Sequence, residues 1–449
     1  MIYRFISFFL FLASCQPALA FLSDYNTYQV PSVARPALDQ PVTDPVFGSS
    51  LTRRSDPSQS EGSQGLIHEY AKFAGSNADN TLIAVQVIGG ASRGAWRIQG
   101  LKTHTWLATL PTQGDPEISW HPSDRALLFY RKTNQLLRYH ADTGTSDVLF
   151  TGSGYQTISD NEEGRPSLDW HYWAGIGTRD TGQKDIIVVD LQAGSLLATL
   201  PKVGALDWVT ISMNGQYVVA QFTDGQGTRV YDRSLQGQRL LIADFTHADL
   251  ALDASGQDIL VYIAVTGAQI TALGCPNTPN GSPIASARLS DGQQKILLGD
   301  CYDANWKPVI TGVYLPWGGA YHFSGILSKT RPGWVLVSSY SDAAVAQMPF
   351  LREVFALKTD GSGAVERYAH HHSLTDSNYF AEPHATSSWD GAHLFFASTW
   401  GESARYDLYD IRVGSMPPPP IDNGTYTCSW VFSRRPDGVL TGFATQCVR

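Results

Sequence analysis

D-W-V-T-I-S-M-N-G-Q-Y-V-V-A (207–220) holds two short strands around one tight turn. Met213-Asn214-Gly215-Gln216 supplies the turn chemistry, and the flanks are rich in β-branched and aromatic residues, which suit pleated strands. The same unit recurs along the chain. Copies begin at His68 (H-E-Y-A-K-F), Glu117 (E-I-S-W-H-P-S-D), Arg165 (R-P-S-L-D-W), His247 (H-A-D-L-A-L-D-A-S-G), His322 (H-F-S-G-I-L-S) and His384 (H-A-T-S-S-W-D-G). Third strands follow several copies, such as Q-L-L-R-Y-H (135–140) and Y-D-L-Y-D-I (406–411). Seven such units without helical periodicity predict an all-β fold, a seven-bladed β-propeller over 66–414. A sandwich or an eight-stranded barrel would need far fewer strands.

The termini complete this plan. Residues 21–65 read as an extended leader in which 46–54 forms a strand that closes the ring. The P-P-P-P run at 417–420 leads into a last hairpin within 415–449. The first 20 residues carry Arg4 and a short apolar run, which fits an export signal and is too short to span a bilayer. Two processing routes fit: cleavage after Ala18-Leu19-Ala20, or a lipobox at Leu12-Ala13-Ser14-Cys15 that would make Cys15 a lipid anchor. Without Cys15, four cysteines remain. Local pairing predicts Cys275–Cys301 and Cys428–Cys447 among three connectivities. The sequons at Asn280 and Asn423 matter only in a eukaryotic secretory pathway.

The totals narrow the function. Only 16% of residues are charged and the net charge is −9, which argues against a nucleic-acid partner. No P-loop, no G-x-G-x-x-G in a βαβ setting and no G-x-S-x-G elbow occur, so no nucleotide or organic cofactor and no serine hydrolase is expected. A monomer is expected.

In a propeller, the innermost strand of each blade runs along the central channel, so its first residue stands at one mouth. That position reads His68, Glu117, Arg165, Asp207, His247, His322 and His384. Four of the seven are histidine, although the chain has only 12 histidines. Such clustering points to one shared cavity. Imidazole with carboxylate suits Zn²⁺ or Mn²⁺, and histidine beside Arg and Tyr suits proton abstraction. Each position also has a structural reading. His68 could cap a strand, His247 could bond the next blade, Arg165 could pair with Glu162 or Glu163, and Asp207 could hold backbone amides. His370, His371 and His372 are placed in a loop beside the mouth, with one of them a candidate ligand. His121, His140, His171 and His393 read as surface residues.

The stretch from His384 to Gly401 resembles the H-x-S-x-S-x-D-G repeat of TolB-like propellers. Tyr321-His322-Phe323-Ser324 with Glu382-Pro383-His384 resembles the divalent-metal region of oligogalacturonate lyases, and ulvan lyases share that architecture. His384 matches a ligand position there, while Tyr379 and Glu382 stand where a glutamine and a histidine would be expected. The resemblance implies β-elimination on an acidic polysaccharide or oligosaccharide, and a divalent ion (Mn²⁺, Zn²⁺ or Ca²⁺). It implies His322, His384 and Glu382 as metal or carboxylate ligands. His247 or Tyr70 would be the base, with His68 and Arg165 supporting the substrate. Asp207, Tyr379 and Trp334 are the expected substrate contacts. The competing expectation is a binding or scaffold propeller like TolB, without catalysis. The two part on whether the histidine nitrogens converge on one cavity or are each taken by neighbouring backbone.

Overall fold

The computed structural model describes residues 21–413, apart from 61, 114–115, 160, 162, 202, 266, 278–281, 300, 308, 310–319, 341–348 and 375–377, and the backbone of two further strands, Thr427–Arg434 and Leu440–Val448. The export signal, Cys15, Glu162, both sequons' asparagines and the proline run lie outside the described residues.

Strands dominate, with one short α-helix, Gly267–Ala272, and three 3-10 turns among the described residues. Five four-stranded sheets follow one another along the chain, and every strand pairs with its sequence neighbours in antiparallel fashion. A nine-stranded sheet holds both ends of this unit. Within it, Ser50–Arg53 lies against Tyr406–Arg412 in antiparallel register, Leu51 opposite Ile411. A two-residue parallel bridge, Tyr406 with Gly65 and Asp407 with Leu66, links that group to the first sheet. This is the β-propeller plan: strand-turn-strand units stacked face to face.

The residues explain the strands. Lys184–Asp190 reads K-D-I-I-V-V-D and is buried along Asp185–Val189, because both faces of a blade are covered. The core accordingly lies between adjacent sheets. Trp208, Val219 and Val230 of one sheet pack with Leu250, Leu260 and Tyr262 of the next. Val261 in turn shares a cluster with Phe323 and Val335. The turns repeat as well. In 212–217 the Ser212 amide donates to the Tyr217 carbonyl, and Gly215 takes φ +68°, a conformation that costs glycine little. Ser388 and Gly391 repeat this arrangement in the last sheet.

The leader is laid onto the body. Leu22 bridges to Arg367, Phe21 packs edge-on to Tyr368 at 4.7 Å, and Asp24 pairs with the buried Arg367 guanidinium. Cys275 and Cys301 form a disulfide with Cα atoms 5.1 Å apart. In the separate C-terminal unit, Thr427–Arg434 pairs with Leu440–Val448 and sets Cys428 opposite Cys447 in backbone register. The side chains there lie outside the described residues.

Two expectations about histidines need correction. His370 ends the strand Val365–His370, and both His370 and His371 are fully buried, so the triplet is not an exposed loop. His393 is buried too, its Nδ1 2.8 Å from Asp410 Oδ1. Strand pairing beside the last turn puts it inside.

Candidate functional site

Three strand starts and one loop meet at a single place. His322 lies on the strand Tyr321–Ser324, and His247 immediately precedes Ala248–Leu252. Glu382 and His384 follow a 3-10 turn, Tyr379–Ala381, capped by the Asn378 side chain. Tyr70 comes from the segment after Gly65–Ile67. The backbone around His384 is tightly held: Ala385 N donates to Ser338 Oγ, and Ala397 N to the Pro383 carbonyl. His384 itself takes φ +42°. A non-glycine residue there stores strain on the order of 1–3 kcal/mol, and such strain concentrates at functional positions.

His322 Nε2 lies 2.8 Å from Glu382 Oε2, and its Nδ1 lies 3.0 Å from the Tyr70 hydroxyl. The same hydroxyl is 3.3 Å from His247 Nδ1, and His247 Nε2 is 3.1 Å from the Tyr340 hydroxyl. The carboxylate fixes the direction of this chain. Burial alone would raise the Glu382 carboxyl, but the hydrogen bond from His322 and the nearby His384 imidazole outweigh it and bring the group to about 2. Glu382 therefore only accepts, so His322 donates through Nε2 and accepts at Nδ1 from Tyr70. The Tyr70 oxygen then accepts from His247 Nδ1, and His247 Nε2 accepts from Tyr340. Burial holds His247 at about 4 and lowers His322 well below the usual histidine range, so both rings are neutral near pH 7. Burial, and next the charge of Glu163, pushes the Tyr70 phenol well above its usual value.

His384 Nε2 is buried without a formed hydrogen bond, although Glu382 Oε2 is 3.4 Å away. The ligand atoms of His322, Glu382 and His384 all lie within 4.8 Å of one another. Two imidazoles and one carboxylate facing each other, one nitrogen unpartnered, are a donor set for a divalent cation.

The remaining sequence candidates are placed as follows. His68 donates through Nε2 to the His384 carbonyl at 2.8 Å, which props that loop; burial lowers its pKa to about 4. Tyr379 is half exposed, stacks on Tyr70 at 6.4 Å and tilts over His384 at 4.5 Å. Asp207 is exposed, its carboxyl raised by partial burial and the nearby Glu163 charge. Arg165 does not pair with Glu163. Its guanidinium is buried against Asp249 Oδ1 (2.9 Å) and the carbonyls of Lys72 and Leu250, so it props the loop carrying Tyr70 and Lys72. Trp334 is not brought to the cluster. It lies four residues along its strand from Ser338, the partner of His322, roughly 13 Å at strand rise, and Arg331 packs on its ring. Glu117 is buried against Arg131 and Ser159. Of the triplet, His371 Nε2 donates to the Ser339 carbonyl, His372 packs on Trp400 and His370 on Phe47.

Sequence reading missed Tyr340, Lys72 and Glu163. Lys72 carried no sequence signal, because it lies in a turn closed by Phe73 N donating to the Tyr70 carbonyl.

No protein-family signature matches the chain, and no characterised relative matches it by sequence. Solved structures do match. The oligogalacturonate lyase of Vibrio parahaemolyticus superposes with a TM-score of 0.56 at 13% identity, covering 84% of this chain and 96% of that one. An oligogalacturonate lyase in complex with manganese gives 0.54 at 14% identity, covering 87% and 96%. TolB of Acinetobacter baumannii gives 0.35 at 14% identity, covering 61% and 59%. The chain thus resembles the oligogalacturonate lyases in fold, and the match is moderate.

Proposed function

We propose that the chain is an exported lyase that cleaves a uronate-containing polysaccharide by β-elimination at the channel mouth of a seven-bladed propeller. The observation that carries this reading is the convergence of His322, Glu382 and His384 beside the His247–Tyr70 pair. The blade number rests on five separate four-stranded sheets and two more four-strand groups inside the nine-stranded sheet. Export rests on the N-terminal signal, and the Cys275–Cys301 disulfide fits an oxidising compartment.

His322, Glu382 and His384 would hold the divalent cation. Their imidazoles favour Mn²⁺ or Zn²⁺ over Ca²⁺, which takes oxygen ligands. Bound there, the ion would neutralise the uronate carboxylate and so acidify the adjacent C–H. His247 is the base. Tyr70 is not, because its phenol is buried and its pKa stands far above neutrality. His247 Nδ1–H donates to Tyr70, which leaves the Nε2 lone pair turned towards the half-exposed Tyr340. A sugar C5–H that takes the place of the Tyr340 hydroxyl loses its proton to Nε2. The C5–H electrons form the C4=C5 bond, and the C4–O bond breaks. Tyr340 hands a proton to the leaving oxygen and recovers one from His247, so no water is consumed.

The scaffold reading is favoured by one observation: both His247 nitrogens already have tyrosine partners, as stable packing would require. A polyuronate panel monitored by absorbance of the unsaturated product separates the two readings. Turnover lost with chelator and in His384→Ala supports the lyase. No turnover on any polymer leaves the scaffold.

A further inference from the structure

Lys72 is an unusual lysine. Its side chain is 2% exposed, yet it ends in an ion pair with a half-exposed carboxylate, Glu163, at 2.5 Å. The ammonium sits 3.9 Å from the Trp208 ring centroid and 5.8 Å from that of Tyr70, whose hydroxyl joins His247 and His322. The Lys72 backbone is fixed. Arg165 Nη1 donates to the Lys72 carbonyl at 2.8 Å and is itself locked on Asp249. Glu163 is fixed far less. It sits on a bend outside any strand, its carboxylate makes no other ion pair among the described residues, and Asp207 beside it raises like-charge repulsion. Burying an ammonium is costly unless an anion meets it, so Lys72 requires a carboxylate partner.

We infer that Lys72 is the anchor for a sugar carboxylate, and that the Glu163 side chain occupies this anchor until an acidic ligand displaces it. The inference deepens the acidic-sugar reading of the site and rests on it. It moves the cationic role from Arg165, whose donors are already taken, to Lys72. Trp208 and Tyr70 frame the ammonium with aromatic faces, which hold it in place. Glu163 then sets specificity as a competitor: a neutral sugar gains nothing by displacing it, whereas a uronate replaces one ion pair with another.

The test is calorimetric titration at low ionic strength with trigalacturonate and with a glucuronate oligosaccharide, each beside its methyl ester. Glu163→Gln is expected to bind at least one acid about tenfold more tightly than wild type, with ester binding unchanged. Lys72→Met is expected to lose the preference for acid over ester. The double variant Lys72→Met/Glu163→Gln, which leaves no buried charge unpaired, is expected to bind acid and ester alike. Thermal melting checks the fold of each. Acid binding that is unchanged or weaker in a folded Glu163→Gln overturns the inference, as does an intact acid preference in the double variant or the absence of acid binding in every variant. Tightening in Glu163→Gln without turnover on any polymer would sink the lyase and leave this anchor standing. Turnover that ignores both residues would do the reverse.

Discussion

His370, His371 and His372 are consecutive in the chain, yet each answers to a different neighbour: Phe47, the Ser339 carbonyl and Trp400. His247, His322 and His384 start three different repeats, yet their rings pack 4.7 Å and 4.4 Å apart in succession. Tyr70, which bridges two of them, is 252 residues from His322. The difference follows from backbone geometry. His370 ends its strand, and the chain leaves it at His371 and His372, the latter at φ +57°, so adjacency disperses these side chains. Equivalent positions in stacked repeats project to one axis, so repetition gathers them. In such a fold, repeat position is a better guide to a site than local density of a residue type.

The comparison breaks most visibly in catalysis. His247→Ala is expected to lower kcat/KM on the responsive polymer by about 10²–10⁴, whereas His372→Ala stays within about twofold. Steady-state kinetics on both variants decides it, and equal losses would erase the distinction. Metal linkage comes next. Mn²⁺ at roughly 100 times its Kd should stabilise the protein by about 2.7 kcal/mol in denaturant titrations. That gain should vanish in Glu382→Gln and persist in His372→Ala. The triplet should matter for folding instead. His371→Ala removes a buried bond to the Ser339 carbonyl and an acceptor for the Ser373 amide, and should cost about 2 kcal/mol without changing Mn²⁺ affinity.

Acid acts on both groups in the same direction, since burial also lowers His68 and His247 to about 4. Burial lowers His371 to about 3 and His372 to about 4. The unfolded chain therefore takes up protons that the folded one refuses. Stability should be full above pH 6.5 and fall as the pH drops towards 4, by about 1.4 kcal/mol per pH unit for each histidine at the steepest. Urea melts across that window read it out, and a flat profile would remove these two from the account. The smallest effect belongs to His384→Asn. Asparagine tolerates the left-handed backbone, so stability should move by only about 0.5 kcal/mol while Mn²⁺ affinity drops.

Much of the architecture was legible, because Asn-Gly and Asp-Gly turns between β-branched runs recur along the chain. The packing of His247, His322 and His384 follows their repeat position, whereas His68 turns its Nε2 to the His384 carbonyl. Trp334 was misread because aromatic character says nothing about which end of a strand a residue occupies; its register four residues beyond Ser338 decides that. Arg165 looked available because its partner, Asp249, lies in a different repeat, 84 residues away. Lys72 and Glu163 were invisible as a pair for the same reason, and Tyr340 because it acts through a hydrogen bond that only the folded register creates. Sequence reveals what each repeat contributes at a given level, but not which contributions have already been taken by a neighbour.

The pairing of Ser50–Arg53 with Tyr406–Arg412 carries a consequence for biogenesis. The last sheet takes in Ser50–Arg53, a strand that precedes all the other sheets in the chain, so the body cannot finish folding until Arg412 has left the ribosome. Until then the early strand has an unsatisfied edge, and the long loop it must close makes the final step slow.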